Sequence, residues 1–542
     1  MATPIPTSPG PGSRRARALL ADLVPAAAGA LVILVAWWGA ALVFARLRVI
    51  PTPPAVFHQM YLDRAAYLAN GATTLREALV GFCWGAGFAV LLGAVFVASP
   101  FVERSLLRIA VASYCIPLVA VSPILVVVLP GDGPKEALAA LAVFFSTLLC
   151  TIQGLRSANP SSLDLVRSLG GSGAKAFRLV RVPSALPSLG VALRIAAPAA
   201  LLGAVIGEYF GASQGLGVAL VQAQSSFEVE RSWGFALCLA LLAGTLYAGA
   251  ALISRLAAPW AASEALAGSA PAREPAGPGA PSRPARALRS AAFFVWSLLL
   301  AVALWYLLLR VFRLDHYFAK TPLDVWRYLF TDPEAPGNRR ELAAAVGTTL
   351  GDAGIGYACG TVIAVLVAVA MVAAPAWERA VMPAAVFMRS IPLVAVTPLV
   401  ALVFGRGLLG VTAIVSSVVF FPTLVYVLGG LRAAPRASAE VVTALGGSRL
   451  AVIRKVRFWY GLPSLFTSAR NAIPAALGGA ILAEWLATGQ GAGNLLVTAY
   501  SESRFDTLWS GSVVLIVLSA GCYAALGIVE TLVAARWGPA QG

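Results

Sequence analysis

Two carboxylates, Glu208 and Glu484, lie in otherwise apolar stretches and are the side chains best placed to do chemistry. An ionisable group within a membrane span is costly, so it usually faces water or the interior of a helix bundle and marks a functional site. Each residue could therefore line a solute pathway or a surface on which another protein docks. Each could equally be a structural carboxylate that caps the Gly-rich turn following it. The sequence leaves both interpretations open.

Other kinds of chemistry are not predicted. The six cysteines lie in apolar stretches without CxxC spacing, and the chain has only His58 and His316, so we expect no metal site. The chain also lacks the GxxxxGK(S/T) phosphate loop and a Ser/His constellation. We therefore expect no catalytic residue, no enzyme activity and no cofactor in this chain.

The elements that position the two carboxylates occur twice in the sequence. Residues 169–217 and 445–493 are identical at 23 of 49 positions without a gap, and this alignment makes Glu208 equivalent to Glu484, 276 positions later. A second matched block lies upstream, where residues 116–123 resemble residues 391–398. A period near half the chain is too long for a solenoid, so the repeat predicts a duplicated domain.

The composition predicts a membrane protein. Hydrophobic residues make up 59% of the 542 residues and charged residues only 12%, whereas soluble domains carry about 25% charged residues. Apolar runs of roughly 20 residues, long enough to cross a bilayer, occur repeatedly. We predict an all-α membrane protein with two tandem six-helix domains and about 12 transmembrane helices. The expected helices are 24–45, 75–98, 103–129, 136–154, 190–210 and 233–254, then 290–312, 348–373, 379–404, 408–430, 466–487 and 510–534.

The domain boundaries follow from these helices and from one Pro/Ala/Gly-rich segment. We expect an N-terminal tail over residues 1–20 and a first domain over residues 21–260. Residues 261–288 contain five prolines and three arginines, cannot bury a core and are predicted to be a flexible linker. The second domain is expected over residues 289–538.

The positive charges predict the orientation in the membrane. The connections between the fourth and fifth helices carry six and seven Lys/Arg residues, against one acidic residue each, and should be cytoplasmic. The basic N-terminal tail and the linker then also lie inside, so each half has an even number of spans and the repeat is parallel. Because the net charge of +16 clusters between apolar runs, it argues for this topology and against nucleic acid binding.

Each basic connection has the pattern of a short helix, a glycine break and a second helix that leads into the membrane. Asp164 precedes Gly170 by six residues, and Glu440 precedes Gly446 by six. Glycine permits a tight turn after the short helix. We place the acidic residue in the first turn of that helix, where it favours the helix dipole.

These loops resemble the cytoplasmic loop of ABC-importer permease subunits, which has the pattern Glu-Ala-Ala, three residues, Gly, nine residues, Ile-x-Leu-Pro. The resemblance implies the type I importer fold and a coupling helix that docks into a groove on a separate ATPase subunit, which binds ATP. Two ATPase copies are expected. The implied coupling residues are Asp164, Leu169, Gly170, Glu440, Leu445 and Gly446.

A narrower family resemblance is carried in the first half by residues 169–172, Pro183, residues 186–187 and residues 207–217, and in the second half by residues 483–493. They are similar to the nitrate/sulfonate/taurine-type permeases, the inner membrane components of binding-protein-dependent transport systems, a family that also includes permeases for thiamine-precursor pyrimidines. The resemblance implies import of a small solute that is delivered by an extracytoplasmic binding protein. It also implies that two permease units are fused in this chain.

The third helix of each half contains two prolines six residues apart. Pro117 and Pro392 begin this motif, and Ser122 and Thr397 are the polar residues that we expect to face a pathway. Proline bends a helix, and the freed carbonyls are tolerated where they line a cavity. A gate and a simple packing kink are both compatible with the motif, and the kink is favoured.

The complete prediction is a multi-pass permease of the cytoplasmic membrane with both termini inside. Its expected partners are ATP-binding-cassette subunits, an extracytoplasmic solute-binding protein and the lipid bilayer, with no nucleic acid. The first alternative is an ion-coupled secondary transporter built from a parallel repeat. A membrane-embedded enzyme is the second alternative.

Overall fold

In the computed structural model, α-helices form two halves of matching architecture. The structure describes residues 31, 34–35, 37–45, 49–260, 283–374, 377–378, 381–382, 397, 400–401 and 403–537. The helices of the first half are α1 (Pro53–Leu62), α2 (Arg64–Ala98), α3 (Pro100–Cys115), α4 (Leu118–Val128), α5 (Gly133–Arg156), α6 (Pro160–Ser168), α7 (Gly173–Tyr209), α8 (Leu216–Ser225) and α9 (Val229–Ala257). Those of the second half are α10 (Arg283–Val311), α11 (Pro322–Trp326), α12 (Ala335–Ala373), α13 (Leu408–Arg432), α14 (Arg436–Ala444), α15 (Arg449–Thr488), α16 (Gly491–Ser501) and α17 (Phe505–Trp537).

The number of spans agrees with a duplicated helical membrane protein. Within the described ranges, eight helices are long and apolar enough to cross a bilayer, and ten are if each bent pair counts as one span. Two of the twelve expected helices, 24–45 and 379–404, lie largely outside the described residues, as do the predicted tail 1–20 and most of the linker 261–288. The predicted all-helical, duplicated architecture is confirmed.

The third expected helix, 103–129, is divided into two helices by a sharper bend than the predicted proline kink. Helices α3 and α4 meet at an angle of 101°. Ile116 and Pro117 at the junction have ψ values of 116° and 112°, which are extended rather than helical. A proline disfavours the α conformation of the residue before it, so Ile116 ends α3. Pro123 lies within α4 and does not interrupt it.

The fifth expected helices, 190–210 and 466–487, were predicted too short. Helix α7 runs without a break for 37 residues from Gly173, and α15 begins at Arg449. Each includes one wider π turn near its start, Phe177–Arg181 in α7 and Ile453–Arg457 in α15. The second helix of each basic loop and the membrane span are therefore one continuous element.

Helices α2, α5 and α7 pack closely because small residues lie where they cross. A Cβ added to Gly85 would lie 2.8 Å from the Cα of Ala140, and one added to Gly203 would lie 2.7 Å from the Cα of Ala139. Only glycine allows helix backbones to approach to this distance. The second half repeats the arrangement at Gly360, which faces the backbone of Ser416.

The two halves meet through the broken helix of the first half. The Tyr114 hydroxyl on α3 donates to the carbonyl oxygen of Asn471 on α15 at 2.8 Å. The Ser512 hydroxyl on α17 donates to the carbonyl oxygen of Ala120 on α4, also at 2.8 Å. We call the end of the bundle that holds α6 and α14 the basic end, and the end that holds Glu208 and Glu484 the Glu end.

Candidate coupling loops and pathway

The two basic loops have the same backbone geometry. In the first loop, Gly170 has φ +75° and its N–H donates to the carbonyl oxygen of Arg167 at 3.0 Å. The N–H of Gly171 donates to the carbonyl oxygen of Val166 at 2.8 Å. In the second, Gly446 has φ +78° and makes the equivalent pair of bonds. This is the Schellman motif, in which a left-handed residue ends a helix. A glycine at this position avoids the strain that a Cβ would cause.

Each loop holds apolar side chains out in solvent at its tip. Leu169 is 79% exposed and Leu445 is 83% exposed, and each lies immediately before the left-handed glycine. Leu165 and Val441, one helical turn earlier, are also exposed. A cluster of exposed apolar residues within a polar rim is typical of a protein–protein contact. The tips of α6 and α14 therefore have the character of docking surfaces.

The acidic residues of the loops were placed wrongly within their helices. Asp164 and Glu440 are each the fifth residue of a nine-residue helix, and neither helix has an acidic residue in its first turn. The start of α6 is capped instead by the side chain of Asn159, which accepts from the N–H of Ser161 at 2.9 Å. Asp164 forms an exposed ion pair with Arg167 at 3.3 Å. The helix-dipole argument made from the sequence therefore does not apply.

Ion pairs anchor the base of each loop to the neighbouring helix. Arg156, at the end of α5, contacts Glu103 on α3 at 2.7 Å. At the same place in the second half, Arg432 is paired with Glu378. In both halves, an ion pair therefore holds the end of the membrane-spanning helix that precedes the loop against its neighbour.

Glu208 is fully buried at the Glu end and binds the start of helix α8. Its carboxylate accepts from the hydroxyl of Thr74 at 2.6 Å and from the N–H of Gly217 at 2.5 Å. The hydroxyl oxygen of Thr74 in turn accepts from the N–H of Leu216 at 2.8 Å. Gly215 must be glycine, because it has φ +135° and an added Cβ would overlap the Glu208 carboxylate. The start of α8 is thus capped from α7 and α2.

Glu484 makes the equivalent cap on α16. It accepts from the hydroxyl of Thr349 at 2.9 Å and from the N–H of Gly493 at 2.8 Å. The hydroxyl of Thr349 accepts from the N–H of Ala492 at 3.0 Å. These contacts are those of the capping carboxylate that the sequence left as one alternative. The role of Glu208 and Glu484 in a pathway stays a prediction.

The residues of the proline motif lie inside the protein where they are described. Ser122 and Thr397 are both fully buried. The Ser122 hydroxyl has no hydrogen-bond partner among the described residues. Pro117 begins α4 at the break described above, and Pro392 lies outside the described residues. A pathway role for Pro117, Ser122, Pro392 and Thr397 stays a prediction.

Sequence reasoning missed a buried ion cluster in the first half. The ammonium group of Lys135 lies 2.8 Å from the Glu77 carboxylate and 2.9 Å from that of Asp132. The hydrogen bond from Lys135 lowers the pKa of Asp132, at the start of α5, below its ordinary value. The second half has Asp352 in place of Glu77 but Val411 in place of the lysine. Charged residues at the edges of apolar runs were the signal that could have revealed this cluster.

Helices α7 and α15 differ in polarity at equivalent positions. On α7, Val191 and Ile195 are exposed apolar residues. At the position equivalent to Ile195, α15 carries Asn471, whose side-chain amide donates to the hydroxyl of Tyr426 at 3.1 Å. Because the backbone of Asn471 also bonds Tyr114 of the first half, this face of α15 lies at the boundary between the halves.

The fold and these sites define a duplicated helical membrane protein whose two equivalent loops expose apolar side chains at their tips, an architecture suited to a transport permease. The chain belongs to the family described as the binding-protein-dependent transport system inner membrane component. The family model matches twice, over residues 85–262 and over residues 360–538. The sequence-based family assignment and the duplication are therefore confirmed.

Curated relatives correspond to one half of this chain. A probable ABC transporter permease protein of Haemophilus influenzae is 30% identical over 200 residues, which is 37% of this chain and 82% of that protein. The formylaminopyrimidine transport permease protein ThiX of Halalkalibacterium halodurans is 28% identical over 232 residues, which is 42% of this chain and 93% of ThiX. The riboflavin transport system permease protein RibX of Chloroflexus aurantiacus is 29% identical over 238 residues, 43% of this chain and 89% of RibX. No solved structure matches the chain.

Proposed function

We propose that this chain is the fused transmembrane subunit of an ATP-binding-cassette importer. It receives a small solute from an extracytoplasmic binding protein and releases it into the cytoplasm by alternating access. Support comes from the two family matches and from relatives named for the transport of formylaminopyrimidine and riboflavin. The proposed solute is nitrate-, sulfonate- or taurine-like, or resembles a thiamine precursor.

The proposed orientation places the basic end in the cytoplasm. Lys and Arg residues are enriched in cytoplasmic loops, and both basic loops lie at this end. The N- and C-termini then lie in the cytoplasm, and the Glu end faces the binding protein outside the cytoplasmic membrane.

The observation that carries the proposal is the matched geometry of the two loops. Both present an exposed leucine immediately before a left-handed glycine, Leu169 before Gly170 and Leu445 before Gly446. Each loop then continues directly into a membrane-spanning helix. Two equivalent docking tips favour two ATPase subunits, one for each half. In this proposal the ATPases bind and hydrolyse ATP, and the chain contributes no catalytic residue, cofactor or metal site.

Charge substitutions at the tips test the docking. The tagged chain is expressed in its own host, purified in mild detergent, and its bound ATP-binding-cassette subunits are counted by native mass spectrometry. Burying a leucine contributes about 1.5–3 kcal/mol, and a charge at the same position is costly to bury. We therefore expect Leu169→Asp and Leu445→Asp each to remove one ATPase, and the double variant to remove both.

The matched control is Phe227→Asp, which changes an exposed apolar residue between α8 and α9, at the Glu end. It should leave ATPase binding unchanged. The proposed docking is wrong if the double variant keeps both ATPases, or if Phe227→Asp removes them equally well.

A further inference from the structure

Three aromatic residues join the two halves at the Glu end. The rings of Tyr209 and Trp485 lie 5.6 Å apart with an angle of 68° between their planes. The ring of Phe210 stacks on Trp485 at 4.4 Å and 24°. Both distances fall in the range of favourable aromatic pairs. We call Tyr209, Phe210 and Trp485 the aromatic cluster.

The position of the aromatic cluster follows from the repeat. Tyr209 and Trp485 are equivalent residues, because 485 − 209 is 276, the offset of the best-matched block. Two equivalent residues of a parallel repeat can touch only where both lie beside the pseudo-twofold axis that relates the halves. A pathway enclosed between two parallel halves runs along the same axis. The aromatic cluster therefore lies across the line that a solute would follow.

Between the aromatic cluster and the basic end, α7 and α15 have positions that contact little else among the described residues. Val191 and Ile195 of α7 are exposed, although they lie on a helix whose other faces are well buried. On α15, a Cβ added to Gly478 would meet no atom within 4 Å. Side chains from both halves thus meet at the Glu end, whereas the same two helices have exposed positions nearer the basic end.

We propose that the aromatic cluster is the outer gate of the pathway, with Trp485 as its central residue. This inference rests on the proposed function for the direction of transport. Its residues directly follow the capping carboxylates, so Glu208 and Glu484 hold the base of the gate in place while the rings close it.

The gate is connected mechanically to the coupling loops. Tyr209 is the last residue of α7, which begins three residues after Gly170 and is about 55 Å long at 1.5 Å per residue. Trp485 lies on a π turn, Glu484–Thr488, that interrupts the regular helix at the end of α15. Such turns are rare and recur at functional sites. Movement of the two loops toward each other would tilt α7 and α15 and separate the rings of the aromatic cluster.

Loss of the gate is measured without any partner protein. The purified chain is reconstituted into liposomes loaded with radiolabelled taurine, a zwitterion that crosses lipid slowly, and efflux is followed in the absence of ATP. The unaltered chain should retain the label. Trp485→Ala should raise the efflux rate severalfold, and Trp485→Phe, which keeps a ring, should restore retention.

The control variant is Trp296→Ala, which removes an exposed tryptophan from α10, away from the aromatic cluster. Only variants with a monodisperse profile on size exclusion are compared. Efflux from Trp485→Ala no faster than from Trp296→Ala would overturn the proposal. Because this assay needs neither ATPase nor binding protein, the result is independent of the test of ATPase docking.

Accessibility of the wall below the gate gives a second readout. In a Gly478→Cys variant, a membrane-impermeant thiosulfonate added from the Glu end should fail to label position 478. In the Gly478→Cys/Trp485→Ala variant it should label that position, as read by peptide mass spectrometry. If the labelling is the same in the two variants, the aromatic cluster does not form the gate.

Discussion

Replacement of Glu208 by alanine separates a capping role from a pathway role. The change leaves the N–H of Gly217 without its acceptor, 2.5 Å away in the structure. The hydroxyl of Thr74 is less affected, because it also lies 3.0 Å from the carbonyl oxygen of Asn70. One buried N–H without a partner costs about 1–3 kcal/mol, which is about 5- to 150-fold in the opening equilibrium of α8.

Hydrogen–deuterium exchange of the purified protein measures this opening directly. Amides in locally opened segments exchange in proportion to the opening equilibrium, so peptides that cover α8 should exchange about 5- to 150-fold faster in Glu208→Ala. Peptides of α16, capped independently by Glu484, should not change. Glu228→Ala is the matched control, because it removes only a half-exposed ion pair with Arg231, and such pairs contribute about 0–1 kcal/mol. Unchanged exchange of α8 in Glu208→Ala would refute the capping account.

Two further changes test the loops and the ion cluster. Gly446→Ala places a Cβ on a residue with φ +78°, which costs about 1–2 kcal/mol, so amide exchange in α14 should accelerate. The control is Gly429→Ala, at a helical position of α13 where the added Cβ would meet no described atom within 4 Å, and it should not accelerate exchange in α14. Equal exchange of α14 in the two variants would argue against the strained turn. Lys135→Met leaves the buried Glu77 carboxylate unpaired, a loss of about 3–5 kcal/mol, so the Tm should fall and adding Glu77→Gln should recover most of it; a Tm that stays constant would show that the pair contributes nothing.

The overall architecture could be predicted from the sequence, because hydropathy, loop charge and the internal repeat are strong signals. Apolar runs of about 20 residues predict spans, the Lys/Arg content of the loops predicts their common end, and a 276-residue offset predicts the duplication. The glycine turns at Gly170 and Gly446 were also predictable, since the helix–glycine pattern depends on neighbouring residues alone.

The remaining features depend on contacts between residues distant in sequence. The partner of Glu208 is Thr74, 134 positions away, so no local pattern could decide between a cap and a pathway residue. The break at Pro117 was predicted only as a kink, because proline alone does not determine the angle between flanking helices. The short helices α8 and α16 were missed, since their starts depend on capping groups from α2, α7, α12 and α15. The meeting of Tyr209 with Trp485 required the axis between the halves to be known.

The central claim, that one chain presents two equivalent docking loops to two ATPase subunits, is tested most directly by the mass of the unaltered complex. The chain contributes 56.0 kDa, and native mass spectrometry of the complex purified from its own host resolves the number of ATP-binding-cassette subunits bound to it. We predict two ATPase subunits per chain. A complex with no ATPase, or with only one at saturating ATPase concentration, would contradict the claim.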